Sequence, residues 1–155
     1  MVLGTAHIVE LDRLDNELRL APDFAPALFR RVMECGGTLR SLPQETGSAT
    51  RLERLIQAGA WTDAVFALIE IEAPSWKIRR LIREDGEWFC SLSRQPNLPA
   101  ALDDTADGCH EILALALLRA LVEAQHRSSV TPPAASTVPQ IRPSSGQIVC
   151  CDNFT

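Results

Sequence analysis

The stretch WKIRRLIREDGEWFCSLSR, Trp76 to Arg94, constrains the fold of this chain more than any other. Two alternating apolar runs flank Glu84-Asp85-Gly86, and an Asp-Gly pair between such runs is a strong local signal for a β-hairpin. The register follows from where the large apolar side chains land. A two-residue Asp85-Gly86 loop sets Ile82 opposite Phe89 and Arg83 opposite Trp88, which scatters apolar bulk over both faces. A three-residue loop, Glu84-Asp85-Gly86, with Gly86 left-handed in a bulge, pairs Ile82 with Trp88 instead. Trp76, Ile78, Ile82, Trp88, Cys90 and Leu92 then share one face, so the pattern favours the three-residue loop. Lys77, Arg79, Arg83, Glu87, Ser91 and Ser93 take the other face, with Leu81 and Phe89 as its apolar pair. Arg80 turns inward in this register and needs a partner, for which Glu70 or Glu72 is the candidate.

A lone hairpin is marginal in water and requires a further strand or a covering helix. WTDAVFALIEIEAP, Trp61 to Pro74, ends in period-2 alternation, so its second half reads as a strand. Before it, SATRLERLIQAGA reads as a helix with Ser48 or Thr50 as cap and Gly59 as terminator. After the hairpin, a helix beginning at Thr105 or Asp107 carries CHEILALALLRALVEAQHR, apolar around most of its circumference and so buried across the sheet. Glu123 and Arg127 form a favourable i,i+4 pair on it. The expected fold class is a small two-layer α+β domain over residues 48–127, helix-strand-strand-strand-helix with an antiparallel meander. Residues 1–47 read as a leader holding one additional helix, about residues 23–35, followed by a linker; Asp23 caps that helix, Pro26 lies in its first turn and Gly36-Gly37 closes it. Residues 128–155, with four prolines in SSVTPPAASTVPQIRPSS, read as a disordered Pro/Ser/Thr-rich tail.

Charge and cysteine usage bound the function. A net charge of −5 disfavours a general polyanion binder, because phosphate neutralisation needs a local excess of Lys and Arg. The five cysteines are odd in number and scattered, which fits a reducing, cytoplasmic setting. The start, MVLGTAHIVELDRLDNE, lacks the form of a signal peptide, and no apolar run is long enough to cross a bilayer. No metal-ligand spacing and no cofactor-binding glycine loop is present, so no catalytic, metal or cofactor residue is assigned. Cys109-His110 is the most reactive-looking pair, but neighbours on a helix point about 100° apart, which places this imidazole poorly as a base for this thiol. Cys150-Cys151 is not a prenylation box, since four residues follow Cys151.

Three function classes remain. The first is a non-enzymatic accessory or protein-interaction domain, docking a protein partner or its own copy through Lys77, Arg79, Leu81, Arg83 and Phe89. The second follows from element order, which matches that of double-stranded RNA-binding domains. There a basic start of the last helix grips phosphates, whereas this chain offers Asp103, Asp104, Asp107 and Glu111 at that position, so nucleic acid is disfavoured. The third is a small cysteine-dependent enzyme centred on Cys90 or Cys109. Through Trp76-Lys77-Ile78-Arg79-Arg80-Leu81, Asp85-Gly86-Glu87-Trp88 and Ser91-Leu92-Ser93-Arg94-Gln95, together with the final apolar helix, residues 50–125 resemble small uncharacterised proteins of rhizobial and related alphaproteobacteria. That resemblance implies a bacterial cytoplasmic setting and transfers no mechanism.

Overall fold

The computed structural model describes residues 2–41 and 47–130; residues 42–46 of the expected linker and the expected tail beyond residue 130, with Cys150 and Cys151, lie outside them, while residues 38–41 and 128–130 are helical. The chain is a small α+β protein with one three-stranded antiparallel sheet, order β1-β2-β3, and six α-helices among the described residues. The helices are α1 (Val2–Leu20), α2 (Pro26–Gly36), α3 (Thr38–Ser41), α4 (Gly47–Gln57), α5 (Trp61–Glu72) and α6 (Leu113–Val130). The strands are β1 (Lys77–Glu84), β2 (Glu87–Ser93) and β3 (Thr105–His110).

The meander is present, but its third strand is a different segment. Residues 61–72 form helix α5 throughout and not a strand. Ala64, Val65, Ala67, Leu68, Ile69 and Ile71 are all buried, and a helix buried on most sides reads as a continuous apolar run whose end alternates by accident. The strand lies instead at Thr105–His110, where a helix start was expected, and α6 begins at Leu113. TADGCH has little strand propensity; packing decides it. A Cβ on Gly108 would lie 2.3 Å from the Ala116 carbonyl oxygen and 2.5 Å from the Ala120 nitrogen, so β3 runs against the α6 backbone where only glycine fits.

The hairpin loop also differs. Glu84 pairs with Glu87 and Arg83 with Trp88, leaving Asp85-Gly86 as a two-residue loop. Both loop residues have positive φ, 51° and 91°, the geometry that matches strand twist in a type I′ turn. The bulge expected at the turn sits inside β1, between Ile78 and Arg80. The two-residue loop sets Leu81 on the helix-facing side and Ile82 on the other, opposite Phe89; the bulge then changes the phase of β1 and brings Ile78 opposite Leu92.

The N-terminal segment packs on the domain. Leu11, Leu14 and Leu18 follow helical spacing on α1 and are fully buried, with α1 lying against α6. Arg119 fastens the junction: its Nε donates to Asp15 at 2.8 Å and a second nitrogen donates to the Cys109 carbonyl at 2.6 Å. Arg31 of α2 ties back to Glu10 and Glu17 of α1. As expected, Pro26 lies in the first turn of α2 and left-handed Gly37 (φ 78°) closes it, but Asp23 is not its cap: Ala25 stands at the N-cap without a side-chain bond, and the Asp23 carboxylate accepts the Phe24 amide at 2.7 Å. Gly59 closes α4 through the pair Gly59 N–H to Ile56 O and Ala60 N–H to Leu55 O, whereas α4 begins at Gly47 and so holds both expected caps, Ser48 and Thr50, inside it. Phe24, Phe29 and Trp61 pack with ring centroids 5.1 to 6.3 Å apart, joining α2 to α5. At the centre, Leu115, Leu117, Leu118 and Leu121 of α6 are 0 % exposed; full burial is worth about 1.5–3 kcal/mol per side chain. No described helix is long and apolar enough to cross a membrane.

Candidate functional site

The sheet has two unlike faces. Leu81, Cys90 and Gly108 form one row across β1, β2 and β3 on the side that meets α6, and Leu92 and Ala106 continue it. Cys90, Leu92 and Ala106 are 0 % exposed there. On the opposite side the row is Ile82, Phe89 and Cys109, flanked toward the turn by Glu84 and Glu87 and toward the other end by Arg80, Ser91 and Asp107. Ile82 and Phe89 are half-buried and do not join the core cluster, to which Leu81 does belong. The Arg80 guanidinium stands 5.8 Å from the Phe89 ring centroid and 3.8 Å from Glu84.

This geometry separates the five residues that the sequence grouped. Phe89 lies on the open face. Leu81 faces the helices, and Arg83 stands 5.8 Å over Trp88 on that same helix-facing side, because the two-residue loop shifts β1 by one residue relative to the expectation. Lys77 is exposed at the far end of β1, opposite Ser93. Arg79 occupies the bulge, donating to the Asp103 carboxylate and to the Leu98 carbonyl at 2.8 Å, which fastens the β2–β3 connection across the end of the sheet. A hydrogen bond from the Ser93 hydroxyl, and then the Arg79 guanidinium, hold the Asp103 carboxyl below its usual range. Arg80 is exposed and does not turn inward to Glu70 or Glu72. Glu70 pairs with Arg51 at 3.2 Å, and Glu72 accepts the Thr38 and Leu39 amides.

Ile82 and Arg80 were therefore missed as members of the open face. The signal for both was the two-residue loop, which places apolar residues on both faces of the sheet, Leu81 on one and Ile82 and Phe89 on the other.

The acids expected at the last helix's start are dispersed. Asp104 pairs with Arg127, which also reaches Glu123 at 2.7 Å; Asp107 is on β3; and the first turn of α6 holds no acidic residue. Cys109 is on a strand, so it has no helix N-terminus beside it. Burial pushes the Cys90 thiol up to about 12, with the Asp107 charge adding to it. Burial likewise raises Cys109 against the opposing pull of Arg119, and raises Cys35. His110 is engaged on both nitrogens, Nε2 with the Ala21 carbonyl at 3.1 Å and Nδ1 accepting the Ile112 amide at 3.0 Å. Among the described residues no group of His, Cys, Asp and Glu could hold a metal ion. No family model matches the chain, and no curated protein or solved structure matches it.

Proposed function

We propose that this chain is a non-enzymatic interaction protein that docks a second copy of itself through the open face of its sheet. The observation that carries this reading is the Ile82–Phe89–Cys109 row, which crosses all three strands outside the core cluster. The charges around it are self-complementary. Arg80 lies two residues before Ile82 and Glu84 two residues after it, so a two-fold axis along the row sets Arg80 of each copy opposite Glu84 of the other. An aromatic centre with an arginine rim is a common interface composition.

Strands of six to eight residues make a face of about 23 Å by 14 Å, small for a stable complex, so the dimer forms in the micromolar range and dissociates on dilution. Light scattering behind size exclusion, across a concentration series, checks this. Mass should rise toward a dimer for the wild type and stay monomeric for Phe89→Glu, with unchanged circular dichroism. A wild type that is monomeric at every concentration, or a Phe89→Glu variant of unchanged mass, removes the proposal. Pull-down of a different protein lost with the same variant would instead assign the face to that partner.

A reducing, cytoplasmic setting belongs to the same reading, supported by the thiols of Cys35, Cys90 and Cys109, which form no disulfide among the described residues. The other two classes have less behind them. A cysteine enzyme needs a thiolate, and burial holds all three thiols protonated. For RNA, the first cation of α6 is Arg119, already occupied by Asp15 and the Cys109 carbonyl.

A further inference from the structure

Away from the open face, a cleft of about 200 Å3 lies where α1, α2, the α5–β1 connection and the end of α6 meet; His7, Gly36, Glu72, Ser75, Trp76 and Gln125 are among its lining residues. Gln125 is the unusual member. It is 9 % exposed, and neither its amide oxygen nor its amide nitrogen has a hydrogen-bond partner among the described residues. Leaving a buried donor or acceptor unmade costs about 1–3 kcal/mol. A glutamine kept there on both counts points to a ligand that supplies both partners.

Its surroundings define that ligand. The Glu72 carboxylate accepts the Thr38 amide on one oxygen (3.0 Å) and the Leu39 amide on the other (2.9 Å), so each oxygen keeps a lone pair for a further donor. Gly36 holds the two groups side by side: a Cβ there would come within 2.4 Å of a Glu72 oxygen and 2.9 Å of the Gln125 nitrogen. Gly37 needs glycine for its positive φ, whereas Gly36 needs it for this space. Of the hydroxyls on α6, Ser128 donates to the Ala124 carbonyl (2.8 Å) and accepts from Arg94 (2.7 Å), and Ser129 donates to the Gln125 carbonyl (2.9 Å), so neither has a proton left for the glutamine oxygen. Glu72 and the glutamine oxygen call for N–H donors, and the glutamine nitrogen, with two protons and no partner among the described residues, calls for at least one acceptor beside them. An anion would meet Glu72, and a guanidinium has no acceptor to offer the glutamine nitrogen.

We infer that this cleft binds a small planar ring whose edge presents an amino group beside an acceptor, as adenine and cytosine do and as a ring carboxamide such as nicotinamide does. The glutamine amide pairs bidentately with that edge, the pairing a glutamine makes with adenine in nucleic-acid recognition. The second amino hydrogen goes to Glu72. The size agrees, since a cavity of about 150 Å3 takes one benzene.

Isothermal titration of the full chain with adenine, cytosine and nicotinamide tests this, with unsubstituted purine as the ring that lacks the amino group. At least one of the first three should bind on the order of ten-fold or more tighter than purine, and which one binds separates the base from the carboxamide. Gln125→Met should lose that binding, and so should Ser75→Trp, which closes the cleft from an exposed position and leaves the core alone. If Gln125→Met fails to fold, Ser75→Trp alone decides the outcome. Phe89→Glu should bind as the wild type does, since the cleft is remote from the open face. The inference is overturned if none of the three binds at about millimolar concentration, if purine binds equally well, or if the folded variants bind like the wild type.

Discussion

The two faces of the sheet are made by the same three strands and differ by one residue of register, yet they obey different physics. On the inner side, Cys90 and Gly108 lie on the strands that meet α6, Leu81 packs against the core cluster, and Cys90 is sealed so well that burial pushes its thiol up to about 12. On the outer side, Ile82, Phe89 and Cys109 keep part of their surface in water, and Arg119 pulls the Cys109 thiol back against the effect of burial. The strands alternate in both cases. What separates the faces is how near a helix comes, and that distance is set by the missing side chain at Gly108.

The sharpest way to break the contrast is to fill that gap. In Gly108→Val the new Cβ meets the Ala116 oxygen and the Ala120 nitrogen, both backbone atoms of a helix that cannot bend locally out of the way. Helix α6 must lift, and the expected loss is about 3 kcal/mol or more, read as a lowered urea midpoint. Cys109→Val, one residue along and pointing outward, should cost less than about 1 kcal/mol. Equal losses would mean that helix proximity does not distinguish the two faces.

A second contrast lies in pH. The Cys90 thiol has a folded-state pKa above its ordinary value near 9, so the folded state holds this proton more tightly than the unfolded chain. Its stabilising contribution is complete below about pH 9 and is lost as pH rises toward 12, at up to about 1.4 kcal/mol per pH unit for one proton. Denaturant midpoints of the wild type should therefore fall more steeply above pH 9 than those of Cys90→Ala. With iodoacetamide at pH 9, Cys109 should label in the native protein and Cys90 only after unfolding. Native labelling of both at one rate would show that the inner face is not sealed.

These faces also explain what could be read from the sequence. The hairpin, the C-terminal ends of α2 and α4 and the α+β class were legible because each rests on local chemistry, an Asp-Gly turn and glycines at helix ends, whereas Asp23 does not cap α2 and Ser48 and Thr50 lie inside α4 where a cap was expected. Strand β3 was not, because TADGCH is held extended by α6, and Gly108 carries no local mark of a close approach. Helix α5 was misread for a related reason, since burial on most sides erases the periodicity that would identify it. The α1 stripe of Leu11, Leu14 and Leu18 was present in the sequence, but its neighbours are so polar that only the partner helix gives it meaning. For the open face, Phe89 was found and Leu81 was placed on the wrong side, an error that the two-residue loop accounts for, since it pairs Leu81 with Cys90. The polar cleft gave no signal, because Gly36, Glu72 and Gln125 are distant in sequence and meet only when α2, α5 and α6 pack.

The smallest expected effect compares the two cation–aromatic pairs, which share one distance. Arg83 stands 5.8 Å from the Trp88 ring on the inner side, and Arg80 stands 5.8 Å from the Phe89 ring on the outer side. Trp88 is half-buried and outside the core cluster, so the inner pair is as wet as the outer one, and tryptophan is the better ring. In dilute protein, Arg83→Gln should cost about 0.5 kcal/mol, or about 2–4 °C in melting temperature, and Arg80→Gln should cost less. If a second copy covers the outer face, raising the protein concentration removes water from Arg80 and leaves Arg83 unchanged, so the order of the two costs should reverse. An order that stays the same at all concentrations would leave the outer face in water and separate it from self-association.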